Sequence, residues 1–439
     1  MMRFDHLKQH TRSRLGLLVG LVLFPLVAIG QDDAWGEDPW ASENVSPWSW
    51  YGFVEGAAGV RTDDNPLVDE DMPLGELRGQ LEGEYQGDAA TWDFKLDGIA
   101  DSVEDEFRGN VREAKVSFSP GERVDVRAGR QILTWGTGDL VFLNDLFPKD
   151  WQSFLSGRDR EYLKAPSDAI RTSWFGDSFN VELALLPFRE PDVYIDGTRL
   201  SYWNPGAGRR VAAPPKLRTT EPPRTVENSE AAMRLYGMAG DQEWAVYGYR
   251  GFDGQPVAVD PDTGRPTFAR LDSLGASLRG PLGNALYNLE FAYHDSPDDP
   301  DGDDPRVPND EVRLLTGYER EAFANFTVGA QYYLEWMQDY DAFRETYPFA
   351  ASERPEEKRH VVTLRLTWRL MRDNLVLGLM NFHSPNEEDW FIRPTVEYRV
   401  TDQLYFHTGA NLFEGQSPAT FYGQFEPDSS VYARLRYNF

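Results

Sequence analysis

The chain ends on Val431-Tyr432-Ala433-Arg434-Leu435-Arg436-Tyr437-Asn438-Phe439, a stretch that alternates without interruption. In an extended chain successive side chains point to opposite faces. Val431, Ala433, Leu435, Tyr437 and Phe439 therefore share one face, while Tyr432, Arg434, Arg436 and Asn438 share the other. The first face is apolar and the second carries charge, so this strand is built to separate a greasy medium from a wet one.

The same period-two pattern recurs upstream. Val362, Leu364, Leu366, Trp368 and Leu370 alternate with Thr363, Arg365, Thr367 and Arg369, and Leu77, Leu81 and Tyr85 alternate with Arg78, Gln80, Glu82 and Glu84. Roughly 18 such segments are predicted, at 49–61, 73–86, 90–101, 107–119, 122–131, 167–176, 178–187, 229–239, 242–251, 267–280, 284–295, 310–320, 323–336, 357–370, 374–384, 389–400, 403–414 and 428–439. Most are longer than strands of soluble sheets and suit the ~9 to 11 residues that a tilted strand needs to cross a bilayer. Every other connection is a tight turn, such as Gln86-Gly87-Asp88, Gly240-Asp241 and Thr401-Asp402. Those between are long and acidic or proline-rich: 62–72, 132–166, 188–228, 252–266, 296–309, 337–356 and 415–427. Strict short and long alternation predicts a barrel with two unequal rims, short turns facing the periplasm and long loops facing outside.

Composition narrows the field. The 439 residues include no cysteine, which excludes disulfide scaffolds, thiolate metal sites, iron–sulfur clusters and cysteine nucleophiles. A formal net charge of −28 argues against a nucleic-acid partner. At the start, Arg3, Lys8, Arg12 and Arg14 precede an apolar run from Leu15 to Ile29 that ends at Ala28-Ile29-Gly30. Residues 1–30 read as a cleavable signal peptide, 31–48 as a periplasmic segment with Trp35, Trp40 and Trp48, and 49–439 as the barrel. No later apolar run is long enough for a helical span.

A secreted sandwich would also alternate. Against it stand the aromatic residues near strand ends on the apolar faces, Trp92, Tyr287, Tyr293, Trp336, Trp368 and Tyr398, and the charge that fills the opposite faces. The fold expected is all-β, a transmembrane antiparallel up-and-down barrel.

With its terminal Phe439 and the apolar Tyr437 two places before it, the C-terminal stretch resembles the assembly signal of Gram-negative outer-membrane barrels. That resemblance implies recognition by the barrel-assembly machinery and residence in the outer membrane, among lipid and lipopolysaccharide. The stretch Val126-Arg127-Ala128-Gly129-Arg130-Gln131 is similar to a hairpin of porins of the alginate-export type.

If the apolar faces meet lipid, the charged faces line the lumen. The expected lining is Arg78, Arg127, Arg171, Arg234, Arg313, Arg365, Arg369, Arg393, Arg399, Arg434 and Arg436, interspersed with carboxylates such as Glu82, Asp97, Glu182, Glu290 and Glu335. Arg365, Arg369, Arg434 and Arg436 are favoured as free cations because their own strands bring no acidic partner. The connection 132–166 is too apolar to wave in water, and Asp139, Phe142, Asp145, Phe147 and Trp151 are expected to fold inward as a constriction. The connection 188–228 either narrows the pore or covers it as a surface flap.

The histidines that follow the leader, His294, His360, His383 and His407, show no metal-ligand spacing, and no GxSxG elbow surrounds a serine. An enzyme is not expected, nor a cofactor or resident metal. The function expected is a channel for passive diffusion of hydrophilic, anionic solutes. The alternative is a sheath or export component for a polysaccharide or a partner protein. A homo-oligomer is compatible with either.

Overall fold

The computed structural model describes residues 46–439 apart from 69, 70, 139 and 140. The expected leader, nearly all of the segment 31–48, and Asp139 lie outside the described residues.

The chain forms an 18-stranded sheet. Its strands are Trp48–Arg61 (β1), Leu74–Gln86 (β2), Thr91–Asp101 (β3), Glu106–Gly121 (β4), Val124–Gln131 (β5), Ser167–Phe175 (β6), Asn180–Leu186 (β7), Glu230–Ala239 (β8), Gln242–Phe252 (β9), Arg270–Leu282 (β10), Ala285–Asp295 (β11), Glu311–Phe323 (β12), Phe326–Met337 (β13), Lys358–Leu370 (β14), Leu375–Ser384 (β15), Asp389–Arg399 (β16), Leu404–Gly415 (β17) and Ser430–Asn438 (β18). Each pairs antiparallel with its neighbours in the chain, and β18 pairs with β1, Tyr437 opposite Val54 and Ser430 opposite Arg61. The ring is thus closed. Phe439 stands at the seam, where its N–H donates to the Gly52 carbonyl at 2.9 Å and its own carbonyl accepts from Gly52 N at 3.1 Å.

All of the expected segments form strands. Two details differ. Trp48 and Trp50 belong to β1, where they stack at 5.3 Å on the outer face, because the alternation already begins there. Alternation of the rims is also not strict: the connections 102–105 and 385–388 are tight turns on the rim that carries the long loops. In the first, Asp101 Oδ1 accepts the N–H groups of Val103 and Glu104 and folds the chain back at once. In the second, Glu388 takes a left-handed φ of 53° just ahead of β16.

Register sorts the side chains into two shells. Leu77, Leu81, Leu96, Leu185, Leu274 and Leu435 are exposed on the outside. Trp92, Tyr287, Trp368 and Tyr398 lie close to the tight-turn rim, and Tyr293 and Trp336 close to the long-loop rim. Aromatic rings at both edges of an apolar belt are the girdles that a bilayer interface selects. A closed ring leaves no unpaired strand edge, the condition for placing strands in hydrocarbon.

Candidate functional site

Every arginine expected to line the lumen lies on the inward face, because strand pairing puts it level with buried wall residues: Arg313 opposite Ala292, Arg171 opposite Ala184, Arg393 opposite Met380. Their charges, however, are mostly matched. Arg78 meets Asp97 at 2.9 Å and Glu76 at 3.1 Å, Arg171 meets Glu182 at 2.5 Å, Arg234 meets Glu243 at 2.9 Å and Arg313 meets Glu311 at 2.6 Å. Arg399 donates to Asn374 Oδ1 at 2.8 Å.

Three of the four arginines expected to lack partners have them. Arg434 reaches Glu55 at 3.2 Å, and Arg436 reaches Glu55 at 2.9 Å and Glu161 at 3.2 Å. Arg365 pairs with Glu319 two strands away, since the residue between them on β13 is Gly329, which has no side chain to intervene. The acid partners come from other strands and from a loop. Among the described residues, five inward arginines make no ion pair: Arg112 and Arg393 are spent on loop carbonyls, whereas Arg127, Arg279 and Arg369 lie toward the tight-turn rim.

The connection 132–166 lies across the lumen. Glu290 on β11 accepts from Gly138 N at 2.6 Å and Asn144 Nδ2 at 2.8 Å, and Glu182 on β7 accepts from Trp135 Nε1. Arg158 donates to Glu76 on β2 at 2.9 Å, and Asn411 on β17 donates to the Leu155 carbonyl at 2.9 Å. Arg393 on β16 is 2 % exposed and donates to the carbonyls of Phe154 at 3.0 Å and Arg158 at 3.2 Å. One segment can touch inward faces all round a ring only by crossing its interior. Its short helix α1 (Trp151–Ser156) is capped by Asp150, whose side chain accepts from Ser153 N, and stops at Gly157 with φ 98°. A Cβ on Gly157 would stand 2.5 Å from the Tyr432 ring of β18, so glycine both ends the helix and admits the wall.

The expected constriction residues fall within this loop. Phe147 is buried edge-on against Trp135 at 4.9 Å. Asp145 is buried and paired with Lys149 at 3.1 Å. Trp151 opens α1 and donates from Nε1 to Asp192 at 2.8 Å, with Phe142 at 6.4 Å from its ring. Leu143, Phe154 and Leu155 form one buried cluster with Leu315, Tyr333, Val361, Phe382, Phe391 and Phe413 of the wall. Apolar residues on the inward face of β12–β17 thus serve as a seat for the loop.

The connection 188–228 also turns inward. Arg199, 1 % exposed, is ion-paired with Asp101 and donates to the Pro73 carbonyl at 3.1 Å, and Leu200 joins the buried cluster. Glu104, in the turn after β3, meets Arg199 at 3.4 Å and Lys216 at 2.8 Å. Burial would raise its pKa, but the hydrogen bond from Lys216 and the charges of Arg199, Lys216 and Arg108 hold it at about 2.

Two interior cavities flank the inserted loop. One of about 570 Å³, the vestibule, lies between the inserted loop, the wall of β11–β15 and the outer loops, with Phe142, Trp151, Phe382 and Tyr422 among its lining. The other, about 210 Å³, lies toward the tight-turn rim between Glu55, Asp159, Glu397, His407, Arg434 and Arg436. The histidines are dispersed: His294 contacts the Leu143 carbonyl, His407 faces Glu397, His360 meets the Tyr332 hydroxyl and His383 stacks on Trp390. Sequence reasoning missed Arg158, Asp159 and Arg279. The apolar run Ser153-Phe154-Leu155 followed by Gly157 was the available signal that something in this loop packs.

No family model matches the chain, and no curated relative does. Solved structures do. OccAB4 of Acinetobacter baumannii is similar at a TM-score of 0.54 and 9% identity, over 90% of this chain and 98% of that one. OccD3 (OpdP) of Pseudomonas aeruginosa is similar at a TM-score of 0.52 and 10% identity, over 89% of this chain and 90% of that one. A looser likeness, at a TM-score of 0.42 and 12% identity over 89% and 100%, is to a variant of the Rh. blastica porin. At these identities the likeness is one of fold. Together with the closed ring, the greasy exterior and the paired aromatic girdles, it identifies the chain as an integral outer-membrane β-barrel.

Proposed function

We propose that the protein is a porin-like channel through which hydrophilic solutes cross the outer membrane passively. The observation that carries this reading is the loop 132–166, held across a closed barrel between a vestibule on one side and a charged pocket on the other. Anionic solutes are the favoured class, and the support for them is narrower than the full arginine set. It rests on Arg127, Arg279 and Arg369 near the periplasmic mouth, which make no ion pair among the described residues. The loop acts as the constriction, the arginines that are ion-paired keep the wall rigid, and Tyr437 and Phe439 at the seam serve as the assembly signal. Lipid, lipopolysaccharide and the assembly machinery are the implied partners.

Planar-bilayer recording of the purified barrel tests the reading. Stepwise, ion-permeable openings are expected, and a barrel that inserts yet stays silent would sink it in favour of a sheath or export component.

A further inference from the structure

The vestibule is poorly suited to a small hydrophilic anion. Its floor is made of the rings of Phe142, Trp151, Phe154 and Phe382, with Tyr422 and Phe421 beside them. A small hydrated ion gains nothing from such a floor. Holding that much apolar surface against water forgoes roughly 25 cal/mol for every Å², and concave aromatic pockets of ~300 to 1,000 Å³ are the usual form of ligand sites.

The charges around it point the same way. Lys149 is taken up by Asp145 at 3.1 Å, Arg313 by Glu311 at 2.6 Å, and Arg359 by Glu335 at 3.2 Å and Glu387 at 2.8 Å. With these pairs closed, Asp192 and Asp253 remain in the lining and form no ion pair among the described residues, feeling Arg189 and Arg313 only through space. Asp192 accepts neutral donors only, Lys149 N at 2.9 Å, Trp151 Nε1 at 2.8 Å and Gln255 Nε2 at 2.6 Å. Asp253 accepts Gln255 N at 2.8 Å on one oxygen, leaving the other open. Gln255 therefore ties the two carboxylates together, beside the Trp151 ring.

We propose that the vestibule binds aromatic solutes bearing an ammonium group, the ring lying on the Phe142 and Trp151 side and the cation facing Asp192 and Asp253. The proposal rests on the channel reading and adds a second solute class to it: the unpaired arginines act on anions near the periplasmic mouth, whereas the outer vestibule collects ammonium-bearing aromatics. Attraction comes from two carboxylates that no ion pair occupies and from ring faces that favour cations.

Calorimetric titration of the folded, detergent-solubilised barrel with three probes tests it. Tyramine supplies both ring and ammonium, 4-hydroxyphenylacetate keeps the ring and reverses the charge, and ethylamine keeps the charge without the ring. Tyramine is expected to bind about tenfold or more tightly than either, a difference of ~1.4 kcal/mol. Asp253→Asn should weaken tyramine severalfold and leave 4-hydroxyphenylacetate unchanged or tighter, whereas Phe142→Ser should weaken both aromatic probes. Equal or tighter binding of 4-hydroxyphenylacetate, equal binding of ethylamine, or no saturable tyramine binding to a barrel that still runs as the folded, heat-modifiable form would overturn it. A barrel that conducts but binds no tyramine defeats this inference alone. One that binds tyramine but never conducts defeats the channel and leaves the site standing.

Discussion

Arg434 of the last strand holds Asp159 of the inserted loop at 2.8 Å, and the same nitrogen stands 3.2 Å from Glu55 of the first strand. The contact that fastens the loop is therefore built on the seam that closes the ring. Asp159 is also 3.5 Å from Arg436, so its carboxylate shares two guanidiniums with Glu55 and, at Arg436, with Glu161. Asp159→Asn leaves Arg434 with only the Glu55 that it shares with Arg436. The expected cost is about 1 to 3 kcal/mol. It should fall on the loop rather than the barrel: faster cleavage within 132–166 by added protease and noisier conductance, with heat-modifiability unchanged. An unaltered digestion pattern would contradict the latch.

Leu143 offers the apolar counterpart. It is fully buried, packed between the loop and the inward wall. Truncating it to alanine should cost about 2 to 5 kcal/mol of docking energy, because the wall, held by its ladders, cannot collapse into the space. Since the loop crosses the lumen, undocking should raise the mean conductance. If Leu143→Ala conducts as the parent does, the loop does not limit flow.

The barrel was legible in the sequence because each of its causes is local. Alternation is read within one strand, a turn within a few residues, and a girdle from where an aromatic stands relative to the strand end. The interior was not legible for the opposite reason. Arg199 meets Asp101, and Arg434 meets Asp159, across stretches of chain that no spacing rule connects. Arg365 has no acidic neighbour on its own strand. Its partner Glu319 is brought within reach by an absent side chain at Gly329. Phe142, Asp145, Phe147 and Trp151 were readable as inward-folding residues from their apolar setting. That they would sit on a seat of phenylalanines from β15, β16 and β17 was not, since those rings alternate as any strand residue does.

The matched arginines make a sharper statement about selectivity possible. Removing Arg127, Arg279 and Arg369 together withdraws three positive charges without stranding a carboxylate. Reversal potentials in a salt gradient should then move toward cation preference, and the shift should shrink at high salt, where the Debye length falls to about 3 Å at 1 M. The paired set behaves differently. Arg365→Ala combined with Glu319→Ala deletes one charge of each sign and is expected to leave the reversal potential near that of the parent. Equal shifts from the triple variant and the double variant would reject the distinction drawn between paired and unpaired arginines.

Acidity gives the last test, through Asp253. Burial pushes its carboxyl up to about 6, with Asp192 and Glu311 adding to the rise and the Gln255 N–H and Arg313 opposing it. Arg189 reaches only the Asp253 carbonyl, at 2.9 Å, and faces Glu230 with its side chain. A carboxyl with a raised pKa loses its charge as pH falls through that value, while tyramine stays an ammonium throughout. Tyramine affinity should therefore be level above about pH 7 and decline below about pH 6, each bound cation releasing part of a proton from the site. Asp253→Asn should flatten the profile at the weaker level. If the variant keeps the parent's pH dependence, another group titrates, and the cation does not face Asp253.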